Sequence, residues 1–121
     1  MDADPTHVCR QGTEIPDFVA DLKFKNDHAL RPYQREGVNW LAYNWLQRRG
    51  SILADEMGLG KTVQAVGFMQ WLMQENKRRG PFLIVAPLST ISHWQREIDG
   101  WIETPKPTHP KPSTLNPDLA L

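Results

Sequence analysis

The densest chemistry in the chain lies in one run, Asp55-Glu56-Met57-Gly58-Leu59-Gly60-Lys61-Thr62. A glycine-bearing loop that ends in Gly-Lys-Thr, between a strand and a helix, is suited to cradling phosphate. Gly58 and Gly60 tolerate positive φ and close backbone approach, so successive N–H groups converge on phosphate oxygens. The following helix adds unpaired N–H groups and the positive end of its dipole. In that setting Lys61 neutralises terminal phosphates and the Thr62 hydroxyl ligands magnesium. The strict spacing, Gly, four residues, then Gly-Lys-Ser/Thr, is not met, because Asp55 holds the first glycine position. Asp55 and Glu56 also carry the wrong charge for a polyanion. A carboxylate about 4 Å from a phosphate charge costs roughly 1–4 kcal/mol between water-like and surface dielectric values. Both side chains are therefore expected to point away, toward backbone N–H donors or a cation. The plainer alternative is a tight Gly-rich turn with a snorkelling lysine; the apolar segment directly upstream weighs against it.

The elements that must hold this loop are legible on either side of it. Leu30-Arg31-Pro32 opens a helix, since a proline in the first turn gives up an N–H that would be unpaired anyway. Val38, Leu41, Ala42 and Trp45 recur at i, i+3, i+4 and i+7, predicting one apolar face to about Arg49, with Gly50 as the stop. Ile52-Leu53-Ala54 reads as a short buried strand. A second helix is expected over 61–76 with an apolar stripe of Ala65, Val66, Met69, Leu72 and Met73. Gly80-Pro81 ends it, and Phe82-Leu83-Ile84-Val85-Ala86 reads as a strand covered on both faces. A third helix over 89–98 places Ile91, Trp94 and Ile98 on one side. The sum is an α/β fold, a parallel βαβα unit preceded by a helix, with the usual right-handed crossover.

The flanks read differently. Residues 1–28 form an acidic, weakly ordered leader with one short element of unassigned type over 18–24. Residues 103–121 form a tail with Pro105, Pro107, Pro110, Pro112 and Pro117, a pattern that forbids a helix and cannot feed a sheet ladder. A disordered linker is the expectation there, a Pro-rich recognition ligand the sharper alternative. The whole chain has 121 residues and 13.9 kDa, enough for one domain with one core. Lys plus Arg and Asp plus Glu both number 14, so there is no global pull toward nucleic acid or an acidic membrane. A mean hydropathy of -0.53 and no long apolar run exclude a membrane span. The start, Met1-Asp2-Ala3-Asp4-Pro5, has no apolar signal core. Cys9 is the single cysteine, read as a free thiol, and an intracellular, reducing setting follows as the expectation.

Three segments together resemble the Swi/Snf-like superfamily 2 ATPases. Residues 52–62, Ile-Leu-Ala-Asp-Glu-Met-Gly-Leu-Gly-Lys-Thr, look like that family's motif I, in which the acidic pair is part of the pattern. Residues 30–41, Leu-Arg-Pro-Tyr-Gln-Arg-Glu-Gly-Val-Asn-Trp-Leu, are similar to its Q-motif region. Residues 81–97, which contain Pro87-Leu88-Ser89-Thr90, resemble motif Ia, in wording closest to the chromodomain–helicase–DNA-binding class, with the imitation-switch class near it. The resemblance spans about 29–102 and implies the front part of a first RecA-like lobe.

The resemblance implies ATP and Mg2+ as cofactors, held by Asp55, Glu56, Met57, Gly58, Leu59, Gly60, Lys61 and Thr62, with Thr62 on the metal. Gln34 would read the adenine, as a carboxamide can pair with N6 and N7 together. Ser89 and Thr90 match the neighbourhood that meets the DNA backbone; their plainer role is capping the third helix. Trp94 is expected to be a packing anchor rather than a base-stacking residue. Lys77-Arg78-Arg79 read by default as a solvated cationic helix end. His93 has no partner at metal-ligand or catalytic spacing.

The implied parent acts on DNA and nucleosomes in the nucleus, by ATP hydrolysis coupled to translocation, with no membrane partner. No Asp-Glu-x-His box follows Ala86 in these 121 residues, and no second lobe with its arginines is present. The expectation is therefore a fragment that binds nucleotide without completing a catalytic set. Another superfamily 2 helicase fragment, or a non-enzymatic truncated interaction chain, are the alternatives.

Overall fold

The computed structural model describes residues 14–54 and 60–103. Three helices organise them: α1 (Pro32–Leu46), α2 (Lys61–Gln74) and α3 (Ile91–Trp101), with 3-10 turns at Lys25–Asp27 and Leu88–Thr90. α1 starts at Pro32, as expected. At its third position Gln34 turns back, and its Oε1 accepts the Arg31 N–H at 3.0 Å, so a donor outside the helix is satisfied locally. α1 ends earlier than its apolar face suggests. Arg48 takes a left-handed φ of 57°, its N–H donates to Trp45 O at 2.9 Å, and the Arg49 N–H donates to Asn44 O at 2.9 Å. This is the left-handed C-cap usually built on glycine, here built on arginine, with Gly50 beyond it.

α1 and α2 lie side by side and run the same way. Gln34 of α1 meets Gly60 at the α2 N-terminus, and Trp45 meets Trp71 toward the other end. Between these points a Cβ on Gly37 would sit 1.9 Å from Gln64 Oε1, so only glycine lets the fully buried Gln64 cross there. Val38, Ala42 and Val66 are completely buried, and Leu72 and Val19 nearly so. Trp71 is the hub of this core. Phe18 and Trp45 approach it edge-on at 5.9 and 6.0 Å, and Phe68 stacks on it at 5.9 Å, all within the range where aromatic pairs attract. The predicted stripe of α2 ran through Met69 and Met73, both only half-buried. The buried face is instead Gln64, Val66, Gly67, Gln70, Trp71 and Leu72.

The strand expectations are not realised. Among the described residues there is no strand; 51–54 and 81–87 run without a ladder. Ile52, Leu83 and Val85 are 85–89% exposed, so neither segment is the buried strand its apolar run suggested. Two short strands without further neighbours gain little from pairing, and here the helices supply the core instead. The α/β reading thus stands only in its helices.

α3 packs on α2, with Trp94 and Ile98 half-buried and Ile91 50% exposed. It starts two residues later than predicted, because Leu88–Thr90 form a 3-10 turn in which the Thr90 hydroxyl donates back to Pro87 O at 2.8 Å. Thr90 occupies the N-cap position without a side-chain cap bond. The capping role expected of Ser89 and Thr90 is therefore not what the turn uses. At the other end of α3, Lys25 Nζ donates to Asp99 O at 3.0 Å and satisfies a terminal carbonyl. Phe24 and His28 both contact the Trp101 ring, at 5.3 and 4.7 Å.

Two glutamines of α2, one turn apart, tie backbone distant in sequence to the helix. Gln74 Oε1 accepts the Lys23 N–H and its Nε2 donates to Asp21 O, each at 3.1 Å. Gln70 Oε1 accepts the Glu103 N–H at 3.0 Å and its Nε2 donates to Glu103 O at 3.2 Å. Each carboxamide thus stands in for a neighbouring strand. The stretch 14–28 carries only a turn and a 3-10 helix, yet Val19 is buried and Phe18 and Leu22 pack against the core. Asp17 fixes that stretch to α1, accepting hydrogen bonds from the Arg35 guanidinium, with which it is paired, and from Asn39 Nδ2 at 3.1 Å. Residues 1–13 and 104–121, including Cys9 and the Pro-rich tail, lie outside the described residues. No described helix is long and apolar enough to cross a membrane.

Truncating Trp71→Ala should cost about 3–5 kcal/mol, the range for a large buried aromatic, whereas Met69→Ala should cost well below that. Denaturant midpoints for the two variants check this, and equal shifts would remove Trp71 from the centre of the core. A second expectation concerns acid. Hydrogen bonds from Arg35, then from Asn39, hold the Asp17 carboxyl below the ordinary carboxylate value. A carboxylate lowered in the folded state adds stability above its unfolded pKa, about 3.9, and loses it as pH falls through the folded value. Both partners are over two-fifths exposed, which keeps the contribution small. Asp17→Asn should therefore give a shallower loss of melting temperature below about pH 4; superimposable acid limbs would exclude the linkage.

Candidate functional site

α2 begins on Gly60, whose φ of 76° and ψ of 49° lie in the left-handed region. That conformation is open to glycine and costly for a side chain. A Cβ there would also fall 2.5 Å from Gln34 Nε2. Gly60 is therefore held twice, by its own dihedrals and by the α1 glutamine packed against it. Lys61 and Thr62 follow as the first two residues of α2, both half-buried. Their position at the helix start brings together an ammonium, a hydroxyl and the unpaired N–H groups of the first turn. An anion placed there meets three kinds of favourable partner at once. The glycine expected to supply positive φ does so at Gly60; Gly58, with Asp55, Glu56, Met57 and Leu59, lies outside the described residues.

Gln34 is buried, 7% exposed, and joins this group from α1. One of its oxygen lone pairs is engaged by the Arg31 N–H, and its amide nitrogen lies against Gly60. The residue expected to read a base is thus brought next to Gly60 at the start of α2. Ser89 and Thr90 lie elsewhere, in the turn into α3, and share no hydrogen bond with Gly60, Lys61 or Thr62. Among the described residues no group of three or more His, Cys, Asp or Glu side chains is arranged to hold a metal. Sequence reasoning missed the reciprocal contact in which α2's Gln64 meets α1's Gly37. The signal available was a glycine in the middle of an otherwise regular helical pattern, which points to close approach.

Comparison with known proteins agrees with the three-segment resemblance. Residues 33–109 match the SNF2-related domain family. That match covers more than half of the chain, and the chain belongs to this family. Its relatives include Chromodomain-helicase-DNA-binding protein 8 of Homo sapiens, 54% identical over 81 residues, which are 67% of this chain and 3% of that protein. Chromodomain-helicase-DNA-binding protein 9 of Mus musculus is 54% identical over 101 residues, 83% of this chain and 4% of the relative. Chromodomain-helicase-DNA-binding protein 6 of Rattus norvegicus is 53% identical over 81 residues, 67% of this chain and 3% of the relative. The chain thus spans 3–4% of the length of these relatives. Within the family its likeness is to the chromodomain–helicase–DNA-binding class.

The contact between Gln34 and Gly60 has a measurable signature. Gly60→Ala should destabilise the chain by about 1–2 kcal/mol through the left-handed backbone alone, with a further cost from the collision with Gln34. Adding Gln34→Ala relieves the collision and leaves the backbone penalty. A thermal double-mutant cycle should therefore show Gln34→Ala costing less in the Gly60→Ala background than alone; strict additivity would mean the two residues do not touch.

Proposed function

We propose that this chain binds ATP with Mg2+ at the α2 N-terminus, as part of the first RecA-like lobe of an ATP-dependent chromatin-remodelling DNA translocase of the nucleus. The observation that carries the reading is Gly60, left-handed and walled by Gln34, immediately before Lys61 and Thr62 in a segment that matches the SNF2-related domain. A left-handed glycine directly before a Lys-Thr helix start fits a phosphate-bearing ligand that approaches the backbone closely. The relatives' names, with their chromodomain, helicase and DNA-binding elements, support a parent that acts on chromatin.

In this reading the backbone N–H groups around Gly58 and Gly60 take the phosphate oxygens, Lys61 takes the terminal phosphates, and the Thr62 hydroxyl ligands Mg2+. The metal, when bound, supplies charge neutralisation across the phosphates. Asp55, Glu56, Met57 and Leu59 complete the loop. Gln34, brought beside Gly60 from α1, would read the adenine edge through its carboxamide. Ser89 and Thr90 meet a DNA backbone only through the complete motor. Water attack on the terminal phosphate needs a second metal ligand, a residue that orients the water and an arginine on the transition state. The 121 residues carry no Asp-Glu-x-His box to supply the first two, and Asp55 and Glu56 belong in sequence to the phosphate-loop run itself. Binding without turnover is the expected behaviour of this chain.

Calorimetry with ATP and Mg2+ tests the reading. Lys61→Ala removes a charge-assisted contact of about 1.5–3 kcal/mol and should weaken binding at least about tenfold. Phosphate release should stay at background with and without DNA. Equal affinity for wild type and Lys61→Ala would sink the assignment, and turnover above about 1 s⁻¹ that the variant abolishes would overturn the inactive state.

A further inference from the structure

The end of the molecule opposite Gly60 concentrates positive charge. α1 and α2 both terminate there, and Arg48, Arg49, Lys77, Arg78 and Arg79 are all exposed, with Glu75 among them. In a chain of formal net charge +0 this is a segregated patch. Compensation of helix dipoles accounts for little of it. Two C-terminal ends present about one half of a negative charge each, so the cations exceed what the helices require.

Backbone geometry at the same place goes against local preference. Arg48 and Lys77 are both left-handed, with φ of 57° and 53°. Glycine would adopt that conformation without strain, yet each helix is closed by a cation. Beside them opens a cleft of about 530 Å³ whose lining includes Trp45, Leu72 and Phe82 together with Lys77, Arg78 and Arg79. Arg78 lies over the Trp45 ring at 6.0 Å, so that ring face is already covered by a guanidinium. Phe82 remains 38% exposed and Leu72 is buried at 6%.

We propose that this basic, aromatic-walled cleft at the shared C-terminal end of α1 and α2 binds an acidic peptide segment that carries an apolar anchor. A phosphodiester backbone would meet the cations but has no apolar surface to cover Phe82 and the cleft wall. Base stacking is opposed by the guanidinium already seated on Trp45. A peptide with carboxylates on either side of a leucine or aromatic residue satisfies both halves of the site: Coulombic attraction to the cations and apolar burial inside. The cleft shares no residue with the nucleotide site, so the two proposals stand or fall separately.

The probe is a fluorescent synthetic peptide of Asp and Glu around a central Leu-Phe pair, titrated with the full chain and followed by anisotropy. Saturable binding is expected. Replacing the peptide's Leu-Phe by Ser-Ser should weaken it about tenfold, as should Arg79→Glu, which alters an exposed side chain and should leave the helical circular dichroism unchanged. A short DNA duplex of equal charge should bind more weakly than the Leu-Phe peptide. Absence of peptide binding, equal affinity for the Leu-Phe and Ser-Ser peptides, tighter binding of the duplex, or indifference to Arg79→Glu would each overturn the proposal.

Discussion

Side-by-side packing of α1 against α2 is the constraint on which the other features depend. Two glutamine–glycine contacts set its closeness: Gln34 against Gly60, and Gln64 against Gly37. A β-carbon at either glycine would force the helices or the glutamines apart. Past these contacts the seam opens into the aromatic cluster on Trp71, where apolar burial drives the packing. Polar groups therefore specify how the helices sit, and apolar burial around Trp71 drives them together. With the seam in place, α3 and the stretch 14–28 both have a surface to dock on.

The seam also explains why Gly60 and Gln34 meet. They lie on different helices, 26 residues apart in sequence, and nothing local relates them. Parallel packing brings the starts of α1 and α2 together, so the glutamine at the third position of one helix faces the cap of the other. Both residues fall within 33–109, the span that matches the SNF2-related domain family.

Much of this was legible in the residues, for identifiable reasons. Pro32 and Gly60-Lys61 are punctuation with strong backbone preferences, and the helices begin where these residues say. Gly60 was expected to take positive φ and does. The C-terminus of α1 was misplaced because the left-handed position is held by Arg48, a residue with no such reputation, while Gly50 nearby drew the boundary outward. The buried face of α2 was misread because three elements contact the helix. Its interior therefore spreads beyond one stripe and includes Gln64 and Gln70, which hydrophobic periodicity ignores. The apolar runs 52–54 and 82–86 look like strands because they have strand composition. Whether a ladder forms depends on neighbours in space, which composition does not report.

The paired carboxamides of Gln70 and Gln74 have a consequence for how the chain assembles. They capture backbone 33 residues downstream and 51 and 53 residues upstream of themselves. Each strap rests on a side chain that α2 holds in place, Gln70 for residue 103 and Gln74 for residues 21 and 23. Closure of the two outer loops must therefore follow α2, and in the reverse direction the straps release first. Hydrogen exchange would register this as an order: the Lys23 and Glu103 amides open at a lower free energy than those inside α2, and the two chain flanks peel away while the helix pair is still closed.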